Sequence, residues 1–200
     1  MRDTVKKGYE EGDYEGEYRE NREIVEKEKQ LFKKLSDNIK GDKVLDLGCG
    51  TGVPFDRYLV DEGFDLTGID ISEKHIRKAR ENIPEAKFLQ GDFFDQDFGE
   101  NSFDAVVSFY AIFHIPREEH QKLFEEVRPW LKDDGALLVT MGAEEMEQHK
   151  EEIGGGELVW SSYSREKNKE LIEKAGFNIL ETYVEDWREE THLWILAEPN

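Results

Sequence analysis

Apolar residues along this chain come in short blocks of two kinds, and their spacing predicts strands alternating with helices. Compact runs bounded by acids and glycines predict buried strands at Lys43 to Leu47, Asp65 to Asp70, Ala86 to Gln90, Ser102 to Ser108 and Ala136 to Met141. Between them the period changes. Ile24, Leu31, Phe32, Leu35 and Ile39 fall on one helical face that Gly41 closes, and a helix over about 53–62 stops at Gly63. Ser72 caps a helix beginning near Glu73, which Pro84 ends. After Pro116, residues His120, Leu123, Phe124, Val127, Trp130 and Leu131 form one apolar stripe, in which His120 and Trp130 read as packing groups.

Beyond Gly142 the pattern loosens. Glu144 to Glu152 is polar and reads as helix, and Gly154-Gly155-Gly156 as a flexible break. A helix from Arg165 to Ala175 ends at Gly176. Two apolar runs, Phe177 to Val184 and His192 to Ala197, then predict an antiparallel hairpin. Met1 to Asn21 has no apolar period and reads as an irregular arm, marked by Tyr9, Tyr14 and Tyr18. Strands alternating with helices imply an α/β fold with a parallel sheet and right-handed crossovers.

Charge and cysteine content narrow the function classes. The 47 acids against 27 Lys plus Arg leave a net charge of −20, which repels phosphate backbones and disfavours a nucleic-acid partner. Cys49 is the one cysteine, so no internal disulfide forms, and its place in a tight turn reads as steric filler. No apolar stretch is long enough to span a membrane, and the N-terminus lacks a secretory segment, so the expected location is cytoplasmic.

The chemistry concentrates where the first strand ends, in Val44-Leu45-Asp46-Leu47-Gly48-Cys49-Gly50-Thr51-Gly52. Glycine accepts positive φ and keeps no side chain between a ligand and the main chain. Pro54 suits the helix start that follows. A dinucleotide fingerprint would place its last glycine at position 53, which is Val53, so Gly52 comes one residue too soon. The Asp46 to Gly52 pattern instead resembles motif I of the class I S-adenosylmethionine-dependent methyltransferases, of the small-molecule type. That resemblance implies a Rossmann-like, seven-stranded, mostly parallel sheet with helices on both faces and a C-terminal antiparallel hairpin. It also implies S-adenosylmethionine as cofactor, and a division into an N-terminal arm and lid helix (1–40) and a cofactor-binding domain (41–200).

Ligands of open α/β sheets bind beyond the carboxyl ends of the strands, which selects the expected cofactor residues. Gly48, Cys49, Gly50 and Gly52 would lie along the methionine part, with Asp46 organising the turn or reaching the ammonium. Asp70 ends the second strand, where a carboxylate accepts both ribose hydroxyls, and Ile71 would cover an adenine face. Gly91-Asp92-Phe93 is similar to the family's adenine-binding motif, Asp92 taking the amino group or merely forming an Asx turn. Ser108 and Phe109 would line the methionine side through their main chain.

Methyl transfer from a sulfonium needs alignment more than a protein nucleophile. The acceptor is expected above the fourth strand and beside the glycine break, near Tyr110, Phe113, His114, Trp160 and Tyr163. His114 is the candidate general base, with Tyr110 beside it; packing against the next helix is the other role open to His114. Glu144 and Glu145 are placed to bind a cationic acceptor or to start a solvated helix, and His192 opens the last strand facing either way. Nucleic-acid amino methyltransferases carry Asn/Asp-Pro-Pro-aromatic after strand four. Here Ser108-Phe109-Tyr110-Ala111 stands instead, so a small-molecule acceptor is expected. A non-catalytic cofactor-binding module and a nicotinamide-dependent oxidoreductase are the alternatives.

Overall fold

The computed structural model describes residues 1–13, 22–187 and 190–200. Seven strands form one sheet: β1 (Lys43–Leu47), β2 (Asp65–Asp70), β3 (Lys87–Gln90), β4 (Phe103–Ser108), β5 (Leu131–Gly142), β8 (Phe177–Trp187) and β9 (Glu190–Pro199). Their order is β3-β2-β1-β4-β5-β9-β8. β1 to β5 run parallel, and β9 is antiparallel to both of its neighbours. Among the described residues a second, two-stranded sheet pairs β6 (Met146–Ile153) with β7 (Gly156–Ser162).

Side chains alternate across a strand, so neighbouring residues enter different cores. Val44, Ala105, Leu138 and Trp194 join one cluster, with Leu31, Phe32 and Leu35 of α2 (Glu26–Asn38), Leu59 of α3 (Phe55–Asp61) and Ile76 of α4 (Glu73–Asn82). Leu45, Val106, Val139 and Ile195 face the other way. They pack on Leu123 and Phe124 of α5 (His120–Trp130) and Ile172 of α6 (Arg165–Lys174). Burial on both faces is why the central strands read as unbroken apolar runs.

Four expectations are corrected. The arm is a helix over part of its length, α1 (Arg2–Glu11), which buries only Val5 and Gly8. Tyr9 lies on it, whereas Tyr14 and Tyr18 lie outside the described residues. Residues 144–152 do not form a helix: most of them build strand β6, whose burial pattern is almost wholly exposed. Glu, Gln and Lys favour helix intrinsically, and the ladder to β7 overrides that preference. Gly154 (φ +58°) and Gly155 (φ +82°) make the tight turn of this hairpin rather than a loose break. β5 begins earlier than its apolar run, at Leu131, with the ladder shifting register before Ala136.

Candidate active site

Strand order reverses between β1 and β4, and their carboxyl ends open a cleft there. Leaving β1, the chain turns through three residues of positive φ, Gly48 (+85°), Gly50 (+56°) and Gly52 (+76°). The turn is braced on β2: the Ile69 carbonyl accepts from the amides of Gly48 (2.8 Å) and Cys49 (3.1 Å). A Cβ on Gly48 would collide with Ala111 and one on Gly52 with Ile83, while a Cβ on Gly50 would meet nothing within 4 Å. The outer two glycines serve packing, and the middle one leaves main chain bare.

Asp70, 8% exposed, stands beside this turn. One carboxylate oxygen accepts from the Gly50 amide (2.9 Å) and the other from the Ser72 amide (2.8 Å), with His75 Nδ1 at 3.5 Å. Burial alone would raise its pKa; His75 and the two amides outweigh it and hold Asp70 below the usual carboxylate range. It is therefore an ionised acceptor with lone pairs left for further donors.

The first turn of α3 brings in a residue that sequence reading missed. Asp56 lines the same cleft at 1% exposure, and no N–H or hydroxyl donor reaches either of its carboxyl oxygens. Burial, then the negative charge of Asp46 and a hydrogen bond shared with its carboxylate, then the charge of Asp70, push its pKa well above the carboxylate range. Cys49 is shifted the same way, chiefly by burial and by Asp56, which makes its thiol inert and agrees with a filler role.

Of the expected residues, Asp46, Gly48, Cys49, Gly50, Gly52, Asp70, Ile71, Asp92, Phe93, Phe109, Tyr110 and His114 all line this one cleft. Ser108 does not: fully buried, its hydroxyl donates to the Leu47 carbonyl (2.6 Å) and ties β4 to β1. Asp92 accepts from the Phe94 amide (3.0 Å) in an Asx turn and also pairs with Arg2 (2.7 Å). Tyr110 adopts φ +58°, and its hydroxyl donates to Glu185 and accepts from Arg22 (2.9 Å). Burial first, with Glu185 assisting, pushes its phenol well above the usual range, so it stays a neutral donor.

His114 is placed by a short 3₁₀ turn (Ile112–His114). The Val159 carbonyl, 2.8 Å from Nδ1, can only accept, so Nδ1 carries the proton and Nε2 accepts from the Tyr9 hydroxyl at 2.9 Å. The basic lone pair is thus directed at α1. Arg2, Val5 and Tyr9 of α1 line the cleft and narrow it to about 100 Å³. Glu10 of the same helix accepts from the Ser72 hydroxyl (3.0 Å), at the start of α4. No local signal in the sequence links Arg2 to Asp92, ninety positions apart. Asp56 had one signal, an acid in the helical turn directly after the glycine motif.

A methyltransferase-domain family model matches residues 44–135, the stretch from β1 to the bulge of β5. A sterol 24-C-methyltransferase of Gibberella zeae is 32% identical over 155 residues, covering 70% of this chain and 40% of that protein. A phosphoethanolamine N-methyltransferase of Plasmodium falciparum is 33% identical over 117 residues, covering 56% of this chain and 44% of that protein. The chain thus spans less than half the length of these two curated relatives. Among solved structures, a S-adenosylmethionine-dependent methyltransferase of Methanosarcina mazei shares the fold, with a TM-score of 0.72 over 83% of this chain and 96% of that one, at 20% identity. With topology, glycine turn and matched residues in agreement, these comparisons support a class I S-adenosylmethionine-dependent methyltransferase.

Proposed function

We propose that this protein transfers a methyl group from S-adenosylmethionine to a small-molecule acceptor by in-line displacement. The observation that carries the reading is the pairing, in one cleft, of a bare glycine turn with carboxyl groups in opposite states: ionised Asp70 and the raised-pKa Asp56, which no N–H or hydroxyl donor reaches. The donor set fits the cofactor. The glycine turn would hold the amino-acid tail, and Asp46 with Asp56 its ammonium. Asp70 would hold the ribose, with Ile71, Asp92 and Phe93 around the adenine. When bound, the cofactor supplies an electron-poor methyl group.

The protein's own residues do the rest. Phe109 and Phe55, 4.8 Å apart between ring centroids, form part of an aromatic floor that excludes water. Positive φ at Tyr110 and the hydrogen bond from its amide to Thr140 Oγ1 fix the ring at the cleft wall. His114 holds a lone pair at Nε2 for which Tyr9 is the present donor. The α1 helix acts as a lid: it narrows the cleft, and its outward movement would admit both reactants. In this reading α1, within the proposed arm and lid segment (1–40), would cover the proposed cofactor-binding domain (41–200).

Asp70→Ala removes the ribose acceptor and should weaken cofactor binding by roughly tenfold or more in calorimetry, given about 1.5–3 kcal/mol for a hydrogen bond to a charged group. Unchanged affinity would refute the site assignment. Transfer of labelled methyl into a metabolite extract tests the activity, and tight cofactor binding without transfer would instead support a non-catalytic module.

A further inference from the structure

Side chains alternate along β1, so Asp46 shares a face with Val44, the face on which α3 packs. The first turn of α3 brings Asp56 to the same place. Asp46 is 2% exposed and Asp56 1%, and both line the cleft beside the bare glycine turn. No N–H or hydroxyl donor reaches either oxygen of Asp56, so this acid does not cap its own helix. A buried carboxylate without a donor is unfavourable, and two carboxyls in one site resist ionising together. The pair therefore holds one proton between two carboxyls, with Asp56 keeping it against Asp46.

The surrounding charges do not relieve the pair. Asp70 at the end of β2 adds a further negative charge, and Cys49 in the turn is a neutral thiol. Among the described residues, the cations around the cleft are held elsewhere. Arg2 of α1 pairs with Asp92 and Glu119, and Arg57 of α3 with Asp61 and Glu85. Arg22, 5.5 Å from the Phe55 ring centroid, pairs with Glu28 of α2 and with Glu185. His75 of α4 lies against Asp70, and His114 takes the Tyr9 hydroxyl at Nε2. Tyr110 stays a neutral phenol. A cation that enters with the ligand would find two buried carboxyls and one exchangeable proton.

We propose that Asp46 and Asp56 form an exchange site, in which the α-ammonium of an adenosyl ligand replaces the proton the two carboxyls share, and that Asp56 thereby selects adenosyl ligands by their amino-acid tail. The inference rests on the methyl-transfer reading, which puts that tail at the glycine turn. The exchange balances. The carboxyl O–H bond breaks, its proton leaves to water, and N–H donors of the ammonium take its place. The pair passes from one negative charge to two, and the ammonium offsets the second. A ligand without an ammonium leaves the proton where it is. The free pair holds the proton more tightly than the occupied one, so binding of an ammonium-bearing ligand strengthens as pH rises. The gain approaches about tenfold per pH unit until the pH passes the folded pKa of the free pair.

The test uses the full chain and two probes that share the adenosine. S-adenosylhomocysteine carries the tail, and methylthioadenosine lacks it. Calorimetry in two buffers of different ionisation heat counts the protons released per ligand bound. S-adenosylhomocysteine is expected to release up to about one proton between about pH 5 and pH 8, with affinity climbing over that range. Methylthioadenosine should release none, and its affinity should stay level. Asp56→Asn has no proton to give, so it should bind S-adenosylhomocysteine without release and with a flattened pH profile. Equal release from the two probes, or release that persists in Asp56→Asn, would overturn the proposal. Binding of S-adenosylhomocysteine with no release removes the exchange alone, whereas binding of neither probe removes the methyl-transfer reading itself.

Discussion

At the scale of the residue, the cleft shows how placement divides like side chains into unlike states. Asp70 receives two amides and His75, and it ionises easily. Asp56 is buried beside Asp46, whose carboxylate shares its proton, and no N–H or hydroxyl donor reaches it, so its proton is held. A carboxyl whose folded pKa lies above its unfolded value contributes stability that is complete below the ordinary carboxylate pKa and is lost as pH rises through the folded one. Asp56→Asn should therefore raise the neutral-pH melting temperature, by about 1–2 kcal/mol in stability terms. It should also lower cofactor affinity by roughly tenfold in calorimetry. A variant both less stable and equally tight would refute this account. Asp46 and Asp70 were legible in the sequence because strand ends announce themselves. Asp56 was not, because an acid in a first helical turn commonly serves the helix dipole in solvent, and only the packed structure turns it inward.

At the scale of the element, the seat of α1, the proposed lid, includes one very close backbone contact. Gly8 of α1 lies so near the Glu157 carbonyl and Gly156 of the β6–β7 hairpin that a Cβ has no room. Gly8→Ala should lift α1 from the hairpin at a cost of about 1–3 kcal/mol and speed cofactor exchange, measured by thermal melting and stopped-flow release. The helix escaped the sequence reading because its two buried positions, Val5 and Gly8, make too thin an apolar stripe. α5 was plain by contrast, and its His120 carries a pH signature. Burial lowers that imidazole from 6.5 to about 4, so it contributes stability above pH 6.5 that is lost as pH falls toward 4. His120→Leu should remove about 3 kcal/mol of that acid-side loss, seen as a smaller drop in stability between pH 7 and pH 4 than in the parent.

At the scale of the whole molecule, charge is the dominant global property. A net charge of −20 on 200 residues opposes compaction, and it is relieved only in part by local pairs such as Lys132 with Asp104. Added monovalent salt should raise the melting temperature up to several tenths molar, as screening shortens the reach of that repulsion. A melting temperature that falls with salt would mean that ion pairs outweigh self-repulsion. A network inside the fold spans distant segments: Arg22 pairs with Glu28 and with Glu185 at 3.3 Å, and Tyr110 and Trp194 also bond Glu185. It ties the start of α2 to the far strands, and no local pattern anticipates it.

The sequence by itself determined the parallel core, the strand ends and the glycine turn. Periodicity and backbone permissiveness are local properties, and a strand buried on both faces writes itself as an apolar run. Only the tertiary structure decided that a polar stretch would pair as strand β6, that part of a weakly patterned arm would become helix α1, and that Asp56, Tyr9 and Arg2 would meet one cleft. Those outcomes come from contacts between residues far apart in the chain. Their free energy belongs to the packed pair, and neither segment carries it alone.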